Sequence, residues 1–280
     1  MLFKGCLLAC DIDGTLMSDN IIPPKNLEKI AFFMEKGGMF SLSTGRACCA
    51  VGPVLRQLHE FSPSVVENGG VVYDFSKKSV VMDWKLSKAA HAFAKEIYEN
   101  YPQIGIEIHL ADRVFVLQET EETLAHEEYE EFEAPKIDWE TADRMDWNKA
   151  LFFPNNEQEL EFLCEHCRSY EKFETDFVRT TASFWGKKHL YLEQLPKGVT
   201  KASALRAICE RFHIKEGCYF AIGDYYNDVE MIKDADIGAA TAEAPQDIQQ
   251  EAQFVSCSVT DGAVAHFIDY LTEYRKGCKE

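Results

Sequence analysis

Short apolar runs alternate with amphipathic helical stretches at both ends of the chain but not in its middle. This alternation constrains the fold more than any other feature of the sequence. Residues 6–10 are an apolar run ending at Asp11 and read as a buried strand. Leu27, Ile30, Ala31 and Met34 recur at helical spacing, so residues 26–36 read as a helix stopped by Gly37-Gly38. Residues 39–43 read as a second strand, 47–59 as a second helix and 64–66 as a third strand. A hairpin pattern follows through 71–73 and 80–82. From Thr200 the rhythm returns: helix 200–212, strand 218–222, helix 228–233, strand 237–239, helix 246–252, strand 254–256 and helix 263–274. Such alternation implies an α/β protein with a doubly wound parallel sheet covered on both faces.

The middle follows another pattern. Residues 87–101 read as helix, and 104–110 with 114–119 as an antiparallel hairpin. Residues 150–153 read as strand, 156–168 as helix, and 177–182 with 189–193 as a second hairpin. Helix-strand-strand thus occurs twice, which predicts an α+β insert over 84–194 between two core segments, 1–83 and 195–280. The acid-rich stretch 119–133 lies in the insert and is expected to be a solvated helical face.

The chain has 280 residues, with 29 Lys+Arg against 47 Asp+Glu and a formal charge of −18. That balance disfavours nucleic-acid and anionic-membrane partners, while a bound cation could still bring in an anionic small molecule. No apolar run approaches the ~18 residues of a membrane span. The 10 cysteines sit mostly in apolar runs and read as reduced, buried thiols. Cys164-Glu-His-Cys167 lacks a second ligand pair and reads as helix. Leu7-Leu-Ala-Cys10 looks like a lipoprotein box, but too few apolar residues precede it for a signal peptide. A cytoplasmic protein, monomer or homodimer, is expected.

The chemistry concentrates at strand ends. Asp11-Ile-Asp13-Gly14-Thr15-Leu16 follows the first apolar run directly, where a parallel sheet places its ligand crevice. Residues two apart in extended chain face the same way, so Asp11 and Asp13 point into one site. Two carboxylates this close need a cation, and magnesium suits an oxygen-only set. Gly223-Asp224-Tyr-Tyr-Asn227-Asp228 occupies the equivalent place after a later strand; with the first pair it argues for metal binding by Asp224 and Asp228. Ser43-Thr44-Gly45-Arg46 ends another strand and reads as a helix start able to cradle phosphate. Lys201 falls in the first turn of a helix, where a cation opposes the dipole unless an anion lies near. Glu67-Asn68-Gly69-Gly70 alone reads as a turn.

Together, in order and spacing, these motifs resemble the haloacid dehalogenase superfamily, in its Cof-like branch of sugar-phosphate phosphatases. The Asp11, Ser43-Thr44, Lys201 and Asp224 segments match its four motifs. Glu67-Asn-Gly-Gly and Asp261-Gly262-Ala-Val264 match further branch features, and the insert resembles its large α+β (type IIB) cap. The resemblance implies a Rossmann-like core and a magnesium-dependent phosphomonoesterase acting on small phosphorylated metabolites. Asp11 would be the nucleophile, forming an aspartyl-phosphate, and Asp13 the acid and base. Asp11, the Asp13 carbonyl and Asp224 would hold magnesium with Asp228 in support. Thr44 and Lys201 would hold phosphoryl oxygens, with Gly45, Asn68 and Asn227 lining the substrate. Tyr225 stands where smaller residues are usual, and Ala242-Glu243-Ala244 replaces a Gly-Asn-Ala loop. A sugar phosphomutase of the same fold, and a catalytically silent sugar-phosphate-binding regulator, are the alternatives.

Overall fold

Four consecutive buried residues, Leu7–Cys10, form the first strand, β1. The first helix, α1 (Pro24–Glu35), opens on a proline whose fixed φ suits a first turn, and it buries Asn26, Ile30 and Phe33. β2 (Met39–Leu42) pairs with β1 in parallel, Leu7 opposite Met39 and Cys10 opposite Leu42. The helix expected over 47–59 is instead a 3₁₀ turn, Cys48–Val51, followed by the short α2 (Gly52–Leu55). Pro53 has no N–H to return to the Cys49 carbonyl, so no continuous helix forms. The computed structural model describes residues 1–58 and 62–277, and the end of that expected helix lies outside them. β3 (Ser64–Val66), β4 (Val71–Asp74) and β5 (Ser79–Asp83) make a three-stranded sheet in that order.

The chain divides into two compact units. One comprises Met1–Gly45, Pro53–Val81 and the chain from Thr200 onward; the other comprises Arg46–Gly52 and Met82–Val199. Arg46–Gly52 thus falls outside the unit expected over 1–83, because Ala47 and Ala50 pack against Val114 and Phe132. The second unit runs α3 (His91–Asn100), β6 (Gly105–His109), β7 (Val114–Gln118), α4 (Glu121–Glu130), α5 (Trp139–Arg144), β8 (Lys149–Phe153), α6 (Glu157–His166), β9 (Thr175–Phe184) and β10 (Lys187–Pro196). Of these only α5 had no counterpart in the sequence reading. The strands form one sheet ordered β7-β6-β8-β10-β9, with every neighbouring pair antiparallel. Ile106, Ile108, Ala150, Phe152, Leu190 and Leu192 share a core with Phe93 and Ile97 of α3 and Leu160 and Leu163 of α6. The alternate residues Glu107, His109, Lys149, His189, Tyr191 and Glu193 are buried as well.

Part of that polar layer meets α4, so the acidic stretch is a solvated face only in part: Glu119, Glu121, Glu128, Glu131 and Glu133 are exposed, while one side of the helix is not. Glu122, Thr123 and His126 of α4 are buried. His126 Nδ1 lies 3.1 Å from Glu107, and its Nε2 lies 3.4 Å from Glu130. His189 Nδ1 lies 2.8 Å from Glu122. Burial works against the His126 charge, but the two glutamates outweigh it and raise its pKa to about 10. Burial likewise opposes ionisation of Glu130, and His126 outweighs it, lowering that carboxyl to about 2. The basic residues Arg113, Arg179, Lys187 and Lys188 each pair with a neighbouring acid: Asp112, Glu157, Glu122 and Glu157.

The chain then completes the first unit with α7 (Lys201–Arg211), β11 (Tyr219–Gly223), α8 (Val229–Asp234), β12 (Ile237–Ala240), α9 (Gln246–Glu251), β13 (Phe254–Val255) and α10 (Ala263–Gly277). Its parallel sheet runs β13-β12-β11-β1-β2. Buried Asn26 ties three segments together: its Nδ2 donates to the Leu16 carbonyl at 3.0 Å and its Oδ1 accepts from the Ala265 N–H at 2.9 Å. The strand order reverses at β1, between β2 and β11. A crevice is expected outside the carboxyl ends of the strands there. No helix among the described residues is long and apolar enough to cross a membrane, and every described cysteine is a free thiol; Cys278 lies outside the described residues.

Candidate active site

β1 ends at Cys10 and β11 at Gly223, so the next residues, Asp11 and Asp224, emerge side by side at the strand-order reversal. Asp11, Asp224 and Asp228 each bring a carboxylate oxygen within 4.8 Å of the others, and no other such group of His, Cys, Asp and Glu occurs among the described residues. Local chain geometry allows this approach. Gly14 has a φ of +80°, and a Cβ there would stand 2.6 Å from Asp224 Oδ2. At Gly223 a Cβ would stand 2.5 Å from Cβ of Asp228. Glycine is needed at both points because any side chain would fill the space the carboxylates occupy.

Lys201 resolves the oddity of a cation at a helix start. It is the first residue of α7, only 2% exposed, and its Nζ donates to Asp11 Oδ1 and to Asp228 Oδ1, each at 2.7 Å. The anions that offset the dipole are these two carboxylates. Burial disfavours the lysine charge, but Asp11 and Asp228 outweigh it and raise its pKa. Thr200 caps α7 by accepting from the Ser203 N–H at 3.1 Å. Gly69, at φ +110°, lets its own loop pass the helix start; a Cβ there would lie 2.3 Å from the Thr200 carbonyl oxygen.

Asp228 is held on all sides. Its Oδ1 meets Lys201, and its Oδ2 accepts from the N–H groups of Asp224 at 3.1 Å and Tyr225 at 3.2 Å. Asp224 Oδ1 accepts from the Thr15 hydroxyl at 2.9 Å. Burial, with the Asp228 charge added, pushes the Asp224 carboxyl up to about 7. Burial also raises Asp11 well above the usual carboxylate range, with Asp228, Asp224 and Asp13 adding to it and Lys201 opposing it. Burial and neighbouring charge work against ionisation of Asp11 and Asp224, and a group made only of hard oxygen donors under that strain fits a divalent cation such as magnesium.

Asp13 is exposed and its carboxylate is not one of the three, yet its charge acts on both Asp11 and Asp224. Gly14 turns the chain back within the motif, and the Gly14 N–H donates to the Met17 carbonyl at 3.1 Å. Thr44 is buried; its N–H donates to the Val65 carbonyl and its own carbonyl accepts from the Asn68 N–H, both at 3.0 Å. Thr44 does not open an α-helix as its sequence suggests, since the next helical residues are the 3₁₀ turn at Cys48–Val51. The loop is instead braced by Asn68. A Cβ on Gly45 would lie 3.0 Å from the Asn68 amide, and Asn227 Nδ2 donates to Asn68 Oδ1 at 3.1 Å. Glu67 and Asn68 are buried at φ +54° and +51°, a left-handed pair without glycine. Such positions cost on the order of 1–2 kcal/mol each and persist where the surroundings impose them. The sequence reading placed Thr44, Gly45, Asn68 and Asn227 together only by resemblance. The structure joins them through this amide pair.

Cys10, next to Asp11, donates its thiol to the Asp11 carbonyl at 3.0 Å. Burial raises its pKa well above that of an ordinary thiol, which disfavours the thiolate form. Residues missed by the sequence reading are Thr15, which holds Asp224, and the polar set Glu107, His126 and Glu130 in the second unit. Glu107 and His109 stood two apart in an apolar strand, the one available signal.

This arrangement has known counterparts. The model of the haloacid dehalogenase-like hydrolases matches residues 8–268, and the chain belongs to that family. It stands among the family's phosphatases: it is 25% identical over 294 residues, covering 94% of this chain and 97% of the other, to the 5-amino-6-(5-phospho-D-ribitylamino)uracil phosphatase YwtE of Bacillus subtilis. Among solved structures it resembles a haloacid dehalogenase-like hydrolase from Bacteroides thetaiotaomicron, at a TM-score of 0.80 and 21% identity over 96% of this chain and 99% of that one. It also resembles the HAD subclass IIB sugar phosphatase BT4131, at a TM-score of 0.78 and 19% identity over 95% and 98% of the two chains.

Proposed function

We propose that the protein is a magnesium-dependent phosphomonoesterase that releases inorganic phosphate from small phosphorylated metabolites, sugar phosphates first, through an aspartyl-phosphate on Asp11. The observation that carries this reading is the double ion pair of buried Lys201 with Asp11 and Asp228, beside Asp224, at the carboxyl ends of β1 and β11. Asp11 would attack phosphorus through one carboxylate oxygen while the bond to the ester oxygen breaks. Lys201 holds that carboxylate in place and offsets the charge it and the phosphoryl oxygens share. Asp13, exposed and next to the cluster, would give its proton to the departing alkoxide. It would then take a proton from the water that attacks the aspartyl-phosphate, returning Asp11 and freeing phosphate.

Asp11 and Asp224, with the Asp13 carbonyl, would hold magnesium, whose charge when bound neutralises the phosphoryl oxygens. Asp228 orients from behind, since both of its oxygens already have partners. Thr44, Gly45, Asn68 and Asn227 would line the phosphoryl pocket. The segment 84–194 would act as a cap on a core of 1–83 and 195–280, in a cytoplasmic enzyme.

Phosphate release by purified protein from a panel of sugar phosphates tests the reading. Turnover should need magnesium, vanish in excess chelator and vanish in Asp11→Asn, because an amide is no nucleophile. Undiminished release in chelator would refute it.

A further inference from the structure

Two hydroxyls flank the acid cluster, and the reaction proposed above gives neither a role. The parallel ladder continues past the strand ends. The Ser43 N–H donates to the Cys10 carbonyl at 2.8 Å, and the Thr241 N–H donates to the Gly223 carbonyl at 3.2 Å. With Cys10 opposite Leu42 and Gly223 opposite Ala240, these bonds set Ser43 beside Asp11 and Thr241 beside Asp224. Side chains alternate between faces along a strand and share a face across the register, so each hydroxyl stands on the same side as the carboxylate it flanks. One step back, the same four strands carry Leu42, Cys10, Ile222 and Ala239, all apolar. The hydroxyls thus begin where the acids begin. Ser43 and Thr241 are fully buried, and neither hydroxyl has a hydrogen-bond partner among the described residues. Buried hydroxyls are nearly always paired; Ser41, two residues earlier on β2 and as deeply buried, donates to the Pro63 carbonyl at 2.8 Å. The carboxylates beside Ser43 and Thr241 are turned to other donors, Asp11 to Lys201 and Asp224 to Thr15.

Resting on the magnesium site of the phosphatase reading, we propose that Ser43 and Thr241 are positioning residues for that ion, each holding one of its waters against the carboxylate beside it. The donor inventory favours this role. A carboxylate only accepts hydrogen bonds, whereas a hydroxyl donates one and accepts two. Magnesium held by few carboxylates keeps several of its waters, and in a buried site the donors of those waters need acceptors. A hydroxyl next to each acid accepts from such a water and donates to the acid. An apolar side chain of the same shape does neither. Partners behind the direct ligands fix ligand orientation and so tune affinity for the metal.

Calorimetric titration of magnesium into the purified, substrate-free protein tests this with Thr241→Val and Ser43→Ala, which remove the hydroxyl and little else. Each should weaken magnesium binding by roughly 10–100-fold. Thr241→Ser keeps the hydroxyl and should restore most of the affinity. Urea denaturation in chelator is the second measurement. Without the ion both variants should be at least as stable as wild type, because each loses a buried hydroxyl that has no protein partner. Their gain in stability on adding magnesium should shrink. Magnesium affinity within about twofold of wild type in either variant, well short of the expected loss, overturns the inference, and so does a loss in Thr241→Ser equal to that in Thr241→Val. A variant less stable than wild type in chelator also overturns it, since its hydroxyl then serves the protein and not the ion. Each of these results leaves the phosphatase reading intact. Wild type that neither binds magnesium nor releases phosphate from 4-nitrophenyl phosphate overturns the phosphatase reading and this one with it.

Discussion

Replacing Lys201 by methionine keeps the length of the side chain and removes its charge. In the metal-free protein this leaves Asp11 and Asp228 buried without the cation that meets each at 2.7 Å. Breaking a buried ion pair from one side costs about 3–5 kcal/mol. We therefore expect Lys201→Met to lose about 3–5 kcal/mol in chelator. Asp228→Asn alone should also destabilise, by about 1–3 kcal/mol, because Lys201 loses a partner. In the Lys201→Met background the sign should invert. There Asp228→Asn removes an unpaired buried charge while its side-chain oxygen still accepts from the N–H groups of Asp224 and Tyr225, so the double variant should be more stable than Lys201→Met by about 2–3 kcal/mol. The assay is urea denaturation at neutral pH in chelator, followed by far-ultraviolet circular dichroism. All four tryptophans (Trp84, Trp139, Trp147 and Trp185) lie in the second unit, so their fluorescence would miss the change. Additive losses in the double variant would refute the claim that Lys201 exists to hold these two carboxylates.

Asp13→Asn should transfer phosphate from 4-nitrophenyl phosphate to Asp11, since a good leaving group needs no proton, and then stall for want of a base. Rapid mixing should show a burst near one phenolate per site, and none with a sugar phosphate; near-normal steady-state turnover on both would assign the acid and base elsewhere. Cys10→Ala should keep turnover within a fewfold, and a thousandfold loss at native stability, about 4 kcal/mol in the barrier, would contradict the placement of its thiol against the Asp11 carbonyl. For the buried His126 network the linkage has two signs. Its pKa of about 10 lies above that of free histidine, so its contribution is full below about pH 6.5 and is lost as pH rises through 10. Glu130, lowered to about 2, contributes above about pH 4.5 and loses that as pH falls through 2. Wild type should thus exceed His126→Gln in stability most between about pH 4.5 and 6.5, measured by tryptophan fluorescence in urea, and the gap should shrink by pH 10; a gap independent of pH would show that the ring serves only as packing.

The sequence by itself determined the parallel core and the acidic motifs at its strand ends, because those depend on local rules. An apolar run buried on both faces reads as a central strand, and the residue after its last member must emerge at the carboxyl edge. Gly14 is legible for the same reason, since a sharp turn after a strand needs a positive φ. The insert's two hairpins were legible from alternation alone. Partnership was not. Lys201 is 190 residues from Asp11 and 27 from Asp228, and no periodicity links them; the sequence showed only that a lysine sat in an unfavourable place. The Asn68–Asn227 amide pair and the left-handed Glu67-Asn68 corner likewise exist only once β3, α7 and the loop after β11 converge. The acidic stretch shows the limit most plainly. Glu122, His126 and Glu130 recur every four residues and form an inward-facing stripe, buried at Glu122 and His126 and half-buried at Glu130, but a stripe of charges reads as solvated until a strand supplies Glu107 opposite it. Hydrophobic burial depends on one side chain's own transfer energy and so is written in its identity, whereas burial of a charge depends on a counter-charge that only the tertiary fold delivers.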